Sequence, residues 1–264
     1  MKSSGNDIKV VLVTGGTGEI GCEIAKQFLE NGERVFIAGR NEKKLHDIKS
    51  AFSEMSDRVY TLRGDISNTD DCENMVNEVI SQAGRLDIVI NCAGMLFEKK
   101  ISDVDEDDWD RMLNTNLRGA FFIIKYAMPY LERFGGSIVN VGSTAGIRGF
   151  DADSVYCAAK GGMTLMTKAL AIECAERGVR VNIVSPDMVK TSMLDEGFIR
   201  SGMQDREEYD RMKLSDYPQS QDKVRFIVPE DVAKAVLFLA YNEKSEAITG
   251  ANLVIDFGLT AGFR

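Results

Sequence analysis

Short, β-branched apolar runs recur along the chain, separated by stretches in which apolar residues return at every third or fourth position. Val10-Val11-Leu12-Val13 is the first run and Val35-Phe36-Ile37-Ala38 the second. Five more lie at 58–62, 87–90, 137–141, 179–184 and 252–255. Runs this short and this apolar suit parallel strands covered on both faces. Between them, Ile20, Ala25, Phe28 and Leu29 share one helical face. Met75, Val76, Val79 and Ile80 do the same within 70–83, and Trp109, Met112, Leu113, Leu117, Phe121 and Ile124 within 107–131. Helices are also expected over 154–176 and 229–241. Seven strands alternating with helices predict an α/β fold: a doubly wound, seven-stranded parallel sheet with right-handed crossovers and helices on both faces. Ligands of such sheets sit beyond the carboxyl ends of the strands. Asp65, Asn91, Ser143 and Pro186 all fall at such ends.

The first strand runs into Thr14-Gly15-Gly16-Thr17-Gly18-Glu19-Ile20-Gly21, and a helix follows. Glycine lets the backbone turn sharply and approach a pyrophosphate closely, and the helix N-terminus offers free N–H groups to the phosphates. The second strand ends in Gly39-Arg40, where a site for NAD ordinarily places Asp or Glu to hold the ribose 2′-hydroxyl. An acid there would repel a 2′-phosphate, whereas Arg40 can bind one through charge-assisted hydrogen bonds. The expectation is therefore NADP(H), with NAD(H) possible; the bland alternative makes Arg40 a solvated residue at the start of a helix.

Composition narrows the class. The chain has 264 residues, four prolines and no Pro/Gly/Ser linker, which favours one domain over 1–264. A net charge of −9 leaves no basic stripe for nucleic acid. No apolar run is long enough to span a bilayer, and the N-terminal apolar run is a strand and not a signal peptide. The five scattered cysteines read as free thiols of a reducing cytoplasm. His46 is the sole histidine, so neither a His-based triad nor a metal site is expected.

Four separated residues carry candidate chemistry. Tyr156 and Lys160 are four apart on a predicted helix and share a face. A nearby ammonium is expected to lower the phenol pKa toward the working pH, making Tyr156 a general acid for reduction and a base for oxidation. Ser143, at the end of the fifth strand, can orient a substrate carbonyl. Asn116, mid-helix, can hold a water that passes protons to Lys160. A second Tyr-x-x-x-Lys, Tyr209 to Lys213, lies in an acidic stretch and reads as a chance surface pair.

Together these motifs make the chain resemble the short-chain dehydrogenase/reductase family over nearly its whole length. The glycine turn resembles that family's cofactor loop, Asn91-Cys92-Ala93-Gly94 its segment after the fourth strand, and Asn116, Ser143, Tyr156 and Lys160 its catalytic tetrad. Asp65 matches an acid that meets the adenine, and Ser185-Pro186 a segment bordering the nicotinamide. The resemblance implies a Rossmann-type domain and cofactor contacts from Gly15, Thr17, Gly18, Glu19, Ile20 and Gly21, and from Arg40, Asp65 and Ile66. It implies further contacts from Asn91, Ala93 and Gly94, from Tyr156 and Lys160, and from Pro186, Val189 and Thr191. It also implies a ketone or alcohol substrate and a homotetramer or homodimer formed through the helices carrying Asn116 and Tyr156 and the C-terminal segment. The apolar tail 257–263 fits burial at such an interface or against its own chain. The chain departs from the family's pattern at Glu19, Cys92, Asp187 and Phe257. Glu19 is expected to compete with the pyrophosphate, and Asp187 to put an acid near the nicotinamide entrance. These two acids keep open a non-catalytic, nucleotide-sensing alternative.

Residues 187–228 lack a strand pattern and match the family's substrate lid. They carry Met188, Met193, Leu194, Phe198, Ile199, Met203, Met212, Leu214, Tyr217 and Phe226. Two readings stay open: these residues pack two short helices onto the core, or they form an adaptable wall for a bulky apolar ketone or alcohol. The second points to a steroid-like or 3-oxoacyl substrate, with Met95, Leu96, Phe97, Ile147 and Phe150 adding to the wall.

Overall fold

The computed structural model describes residues 8–215, 217–218 and 225–262. Strands β1 (Val10–Thr14), β2 (Arg34–Gly39), β3 (Val59–Arg63), β4 (Ile88–Asn91), β5 (Ser137–Val141), β6 (Arg180–Pro186) and β7 (Asn252–Ile255) form one parallel sheet. Their order is β3-β2-β1-β4-β5-β6-β7. The chain therefore reverses its direction of winding between β1 and β4, which opens a crevice at their carboxyl ends. Thr14 pairs with Asn91, and Asn91 with Asn140, so the three central strands end level.

Alternation along β1 divides the core. Val11 and Val13 face α1 (Glu19–Glu30), α2 (Glu42–Ala51) and α9 (Pro229–Ala240), where Ile24, Phe28, Leu45 and Val236 are buried. Val10 and Leu12 face α3 (Thr69–Ala83), α5 (Gly119–Leu131) and α6 (Ser154–Ala175), against Met75, Ile123 and Leu170. Each large apolar side chain so buried contributes about 1.5–3 kcal/mol. A short helix, α10 (Asn242–Ser245), follows α9. Its neighbourhood is fastened by Arg180, buried at the start of β6, which donates to the Leu239 and Ala240 carbonyls at 2.8 and 3.1 Å and to Asn242 Oδ1 at 2.7 Å.

The expected alternation of elements is observed, with strand ends moved by a residue or two. One expectation fails. The helix expected over 107–131 is α4 (Glu106–Leu113), then a wider π-helical turn over 114–118, then α5. Just after this turn, a Cβ on Gly119 would lie 2.3 Å from the Ile66 carbonyl oxygen, so glycine lets the start of α5 touch that backbone. Asn116 sits inside that turn, fully buried. Widened turns of this kind often mark functional sites.

Candidate active site

At one end of the crevice lies the glycine turn. Gly15 has φ +65°, and a Cβ there would fall 2.5 Å from Ala93 Cα. A Cβ on Gly21 would strike the Gly15 carbonyl oxygen at 2.5 Å. Glycine is thus required where β1, the loop after β4 and α1 converge. Gly18 caps α1 without any side-chain hydrogen bond, which leaves the first-turn N–H groups available to an anion.

Beyond β2, Arg40 and Lys44 line the same cavity. Lys44 escaped the sequence reading, although it stands one helical turn after Arg40. Arg40 Nη1 lies 3.5 Å from Asp65 Oδ2, an exposed pair whose cation remains open to a second anion. Asp65 Oδ1 accepts from Ser67 N at 2.9 Å and Ser67 Oγ at 2.8 Å.

At the other end stand the four candidate catalytic residues. Ser143 follows β5 and accepts from Ala145 N at 3.1 Å. Tyr156 and Lys160 lie one turn apart on α6, with Lys160 Nζ 5.8 Å from the Tyr156 ring centroid. Lys160 is 4% exposed and donates to the Val141 carbonyl at 2.9 Å. Burial lowers its pKa to about 8. Burial also pushes Tyr156 up to about 12, against an opposing hydrogen bond with Ser143 and reinforced by Asp153. The expectation that Lys160 lowers the phenol pKa is therefore corrected: Nζ is directed to a carbonyl, and desolvation of the phenol prevails. Asn116 Nδ2 donates to the Met95 and Met112 carbonyls at 2.9 and 3.1 Å, while its Oδ1 accepts from Met95 N at 3.1 Å. Asn116 thus clasps the segment after β4. Cys92, beside Lys160, is driven to about 12 by burial and stays a thiol.

One cavity of about 690 Å³ joins these ends. Gly15, Thr17, Gly18, Glu19, Ile20, Gly21, Arg40, Ile66, Ala93 and Gly94 line it, as do Asn116, Ser143, Tyr156, Lys160, Pro186, Val189 and Thr191. Asp65 and Asn91 stand apart from the lining. Asn91 turns into the core, where Nδ2 donates to Asn140 Oδ1 at 2.9 Å, and Asn140 in turn donates to Thr167 Oγ1 at 2.9 Å. The glycine turn, the uncapped helix terminus and the paired cations suit the diphosphate and ribose phosphate of a dinucleotide.

The excursion after β6 forms α7 (Ser192–Ser201) and α8 (Arg206–Leu214) over the cavity. Leu194, Tyr209 and Phe226 are buried together, with Met188, Phe198, Met203 and Leu214 packed around them. These residues do pack the two helices onto the core, and Met188, Met193, Leu194 and Met212 also line the cavity. Met95, Leu96 and Phe150 join that wall, whereas Phe97 packs against Met112 and Val155 outside it and Ile147 is exposed. The expected surface pair is also corrected. Tyr209 is 2% exposed, its ring meets Phe198 at 5.3 Å between centroids, and both Tyr209 and Lys213 line the cavity. The apolar spacing Leu194, Phe198, Tyr209 was the overlooked signal.

Both unusual acids have partners. Glu19 accepts from Ser192 N at 2.8 Å and Ser192 Oγ at 3.0 Å, capping α7, which has no side-chain cap on Thr191. Asp187 accepts from Thr144 Oγ1 and from the Tyr217 hydroxyl. Burial, and then that bond, push the Tyr217 phenol far up. Phe257 meets Tyr217 with ring centroids 6.0 Å apart, so this part of the apolar tail packs on its own chain; Phe263 lies outside the described residues. Among the described residues there is no group of acidic, Cys or His side chains placed to hold a metal, and no helix long and apolar enough to cross a membrane.

Residues 16–260 match the family model described as Enoyl-(Acyl carrier protein) reductase. The chain is 34% identical to meso-2,3-butanediol dehydrogenase of Serratia marcescens over 256 residues, 97% of this chain and 96% of that protein. It is 33% identical to a 3-oxoacyl-(acyl-carrier-protein) reductase of Thermotoga maritima over 252 residues, 95% of this chain and 97% of that protein. Among solved structures, ElxO with NADP bound matches with a TM-score of 0.87 at 30% identity, over 97% of this chain and 100% of that one.

Proposed function

The chain belongs to the short-chain dehydrogenase/reductase family of NAD(P)-dependent oxidoreductases acting on CH–OH and C=O groups, and we propose that it uses NADP(H) on a bulky, largely apolar ketone or secondary alcohol. One observation carries this reading: a single cavity runs from an uncapped helix N-terminus flanked by Arg40 and Lys44 to Tyr156, Ser143 and Lys160. The NADP named with ElxO and the two cations after β2 both support NADP(H) over NAD(H). The glycine turn would hold the diphosphate, Arg40 and Lys44 the 2′-phosphate, and Lys160 the nicotinamide ribose.

When bound, the cofactor supplies or accepts the hydride. The chain's own residues handle the proton. Tyr156, high in pKa and hence protonated at neutral pH, donates to the substrate oxygen in reduction and recovers that proton in oxidation. Ser143 orients the same oxygen. Lys160, fixed by the Val141 carbonyl, keeps N–H groups for the ribose and a positive charge beside the phenol. Asn116 fixes the Met95 backbone and hence the wall facing the substrate. The partners of Glu19 and Asp187 give both acids a structural explanation, which weakens the non-catalytic alternative.

The apolar wall of Met188, Met193, Leu194 and Met212 supports a bulky substrate, steroid-like or 3-oxoacyl. Exposed Phe121 on α5, Leu165 and Ile172 on α6, and Phe238 on α9 with Leu253 on β7 support a homotetramer or homodimer. The five free cysteines support a cytoplasmic setting.

Tyr156→Phe is expected to abolish turnover while NADPH still binds, and retained turnover refutes the assigned role. Arg40→Ala is expected to weaken NADPH binding about tenfold, about 1.4 kcal/mol, with little effect on NADH. Equal weakening of both cofactors in fluorescence titrations sinks the NADP assignment.

A further inference from the structure

The substrate end of the cavity carries a carboxylate that the chain leaves unsatisfied. Asp153 occupies the N-cap of α6, a position where aspartate ordinarily turns back onto the free N–H groups of the helix. Here it makes no capping hydrogen bond. Its side chain lines the cavity, and Oδ1 is sealed from solvent without a hydrogen-bond partner. The preceding residue, Ala152, has φ 62°, a left-handed conformation uncommon for a residue with a Cβ. Its carbonyl is held by Lys99 N at 2.8 Å, which fixes the strained link that aims Asp153.

Nearby charges leave Asp153 without an ion pair. Burial, followed by Glu98, raises its pKa to about 6; Lys213 and Arg200 act in the opposite sense. Arg200 instead pairs with Glu196 at 3.8 Å, and Lys213 lies over the Tyr209 ring at 5.5 Å. A buried acceptor left unpaired costs about 1–3 kcal/mol, and each such group calls for a reason.

We propose that Asp153 determines specificity for substrates with a second hydroxyl near the reacting carbon, a hydroxyketone or diol, by accepting a hydrogen bond from that hydroxyl on its carboxylate, which lines the cavity. This rests on Tyr156 being the proton-transfer residue. Asp153 is three residues before Tyr156, about one helical turn, so their Cβ atoms are about 5–6 Å apart. That spacing places the second hydroxyl within a few bonds of the oxygen that Tyr156 serves. A neutral donor fits better than a charged one. Arg148, Arg200 and Lys213 line the same region and oppose an ammonium, while Glu98 and Asp153 oppose a carboxylate. The apolar body of the substrate then lies against Met188 and Met193.

The test is a panel of ketones of increasing bulk, each matched with its α-hydroxy analogue, starting from cyclohexanone and 2-hydroxycyclohexanone. kcat/KM is measured for the full-length wild type, Asp153→Leu and Asp153→Asn, with an NADPH titration of each to verify that it is folded. The wild type is expected to favour the hydroxylated partner. Asp153→Leu should cut the hydroxylated-to-plain ratio of kcat/KM tenfold or more, and Asp153→Asn, which keeps an acceptor oxygen, should retain most of it. Turnover of plain ketones with the ratio unchanged in Asp153→Leu overturns the Asp153 assignment alone. Wild-type turnover of no member overturns it together with the reading of Tyr156 on which it rests.

Discussion

Replacing Lys160 by methionine should make this protein more stable at neutral pH while destroying its proposed activity. The ammonium is 4% exposed and has one carbonyl partner, Val141, at 2.9 Å. Burial moves its pKa from 10.5 to about 8. In the unfolded chain the amine binds its proton more tightly than in the folded one, so wild-type stability rises with pH between about 8 and 10.5. Below pH 8 the full cost of holding the charge applies. At 1.36 kcal/mol per tenfold change in proton affinity, that cost is about 3 kcal/mol. Methionine fits the same volume without charge but leaves the Val141 carbonyl unpaired, a loss of about 1–3 kcal/mol. The net gain at pH 7 is therefore about 1 kcal/mol. A sharper quantity is the difference between the two proteins, because other titrating groups cancel in it. The advantage of Lys160→Met should shrink by about 3 kcal/mol between pH 7 and 10.5. Urea unfolding followed by circular dichroism at a series of pH values measures this directly. A difference that stays constant with pH refutes the argument that Lys160 is held in a desolvated, high-energy state. A gain of stability on removing such a group is common at functional sites, where activity and stability oppose each other.

Two further perturbations probe how the cavity is held together. Ser192→Pro removes both donors to Glu19, yet suits the first position of α7, where proline is favoured, and Thr191 before it is already extended at φ −143°. Losing this exposed cap should cost about 1 kcal/mol and speed tryptic cleavage at Arg200 and Arg206 about fivefold; an unchanged rate would show that the contact between the glycine turn and α7 restrains nothing. Arg180→Ala strips partners from the Leu239 and Ala240 carbonyls and from Asn242, and should lower stability by about 3 kcal/mol or more, roughly 10 °C in melting temperature. A loss under about 1 kcal/mol would place those carbonyls in water and not in the core.

Fold and candidate chemistry were legible to different depths. Strands such as Val10–Thr14 and Ser137–Val141 announce themselves because a parallel strand buried on both faces must be apolar throughout. Gly15 and Gly21 announce themselves because no other residue fits a positive φ or a backbone contact at 2.5 Å. Tyr156 and Lys160 could be paired from spacing alone, since residues four apart on a helix share a face.

Other features depend on which elements meet. The wide turn that buries Asn116 lies beside Gly119, which touches Ile66 from a segment more than fifty residues earlier, and no helical period records it. Tyr209 reads as a surface residue among charges until Phe198 and Phe226 close over it. Glu19 and Asp187 read as departures near a phosphate and a nicotinamide until Ser192, Thr144 and Tyr217 arrive to occupy them. The ionisation of Tyr156 follows the same division. Spacing predicts a lowering by Lys160, but desolvation depends on everything packed around the phenol, and it carries the group to about 12. By itself the sequence determined the sheet, the turn and the four chemical side chains, because periodicity and steric need are local. The tertiary structure alone decided their burial, their partners and the buried, unpaired oxygen of Asp153, because these depend on contacts between segments distant along the chain.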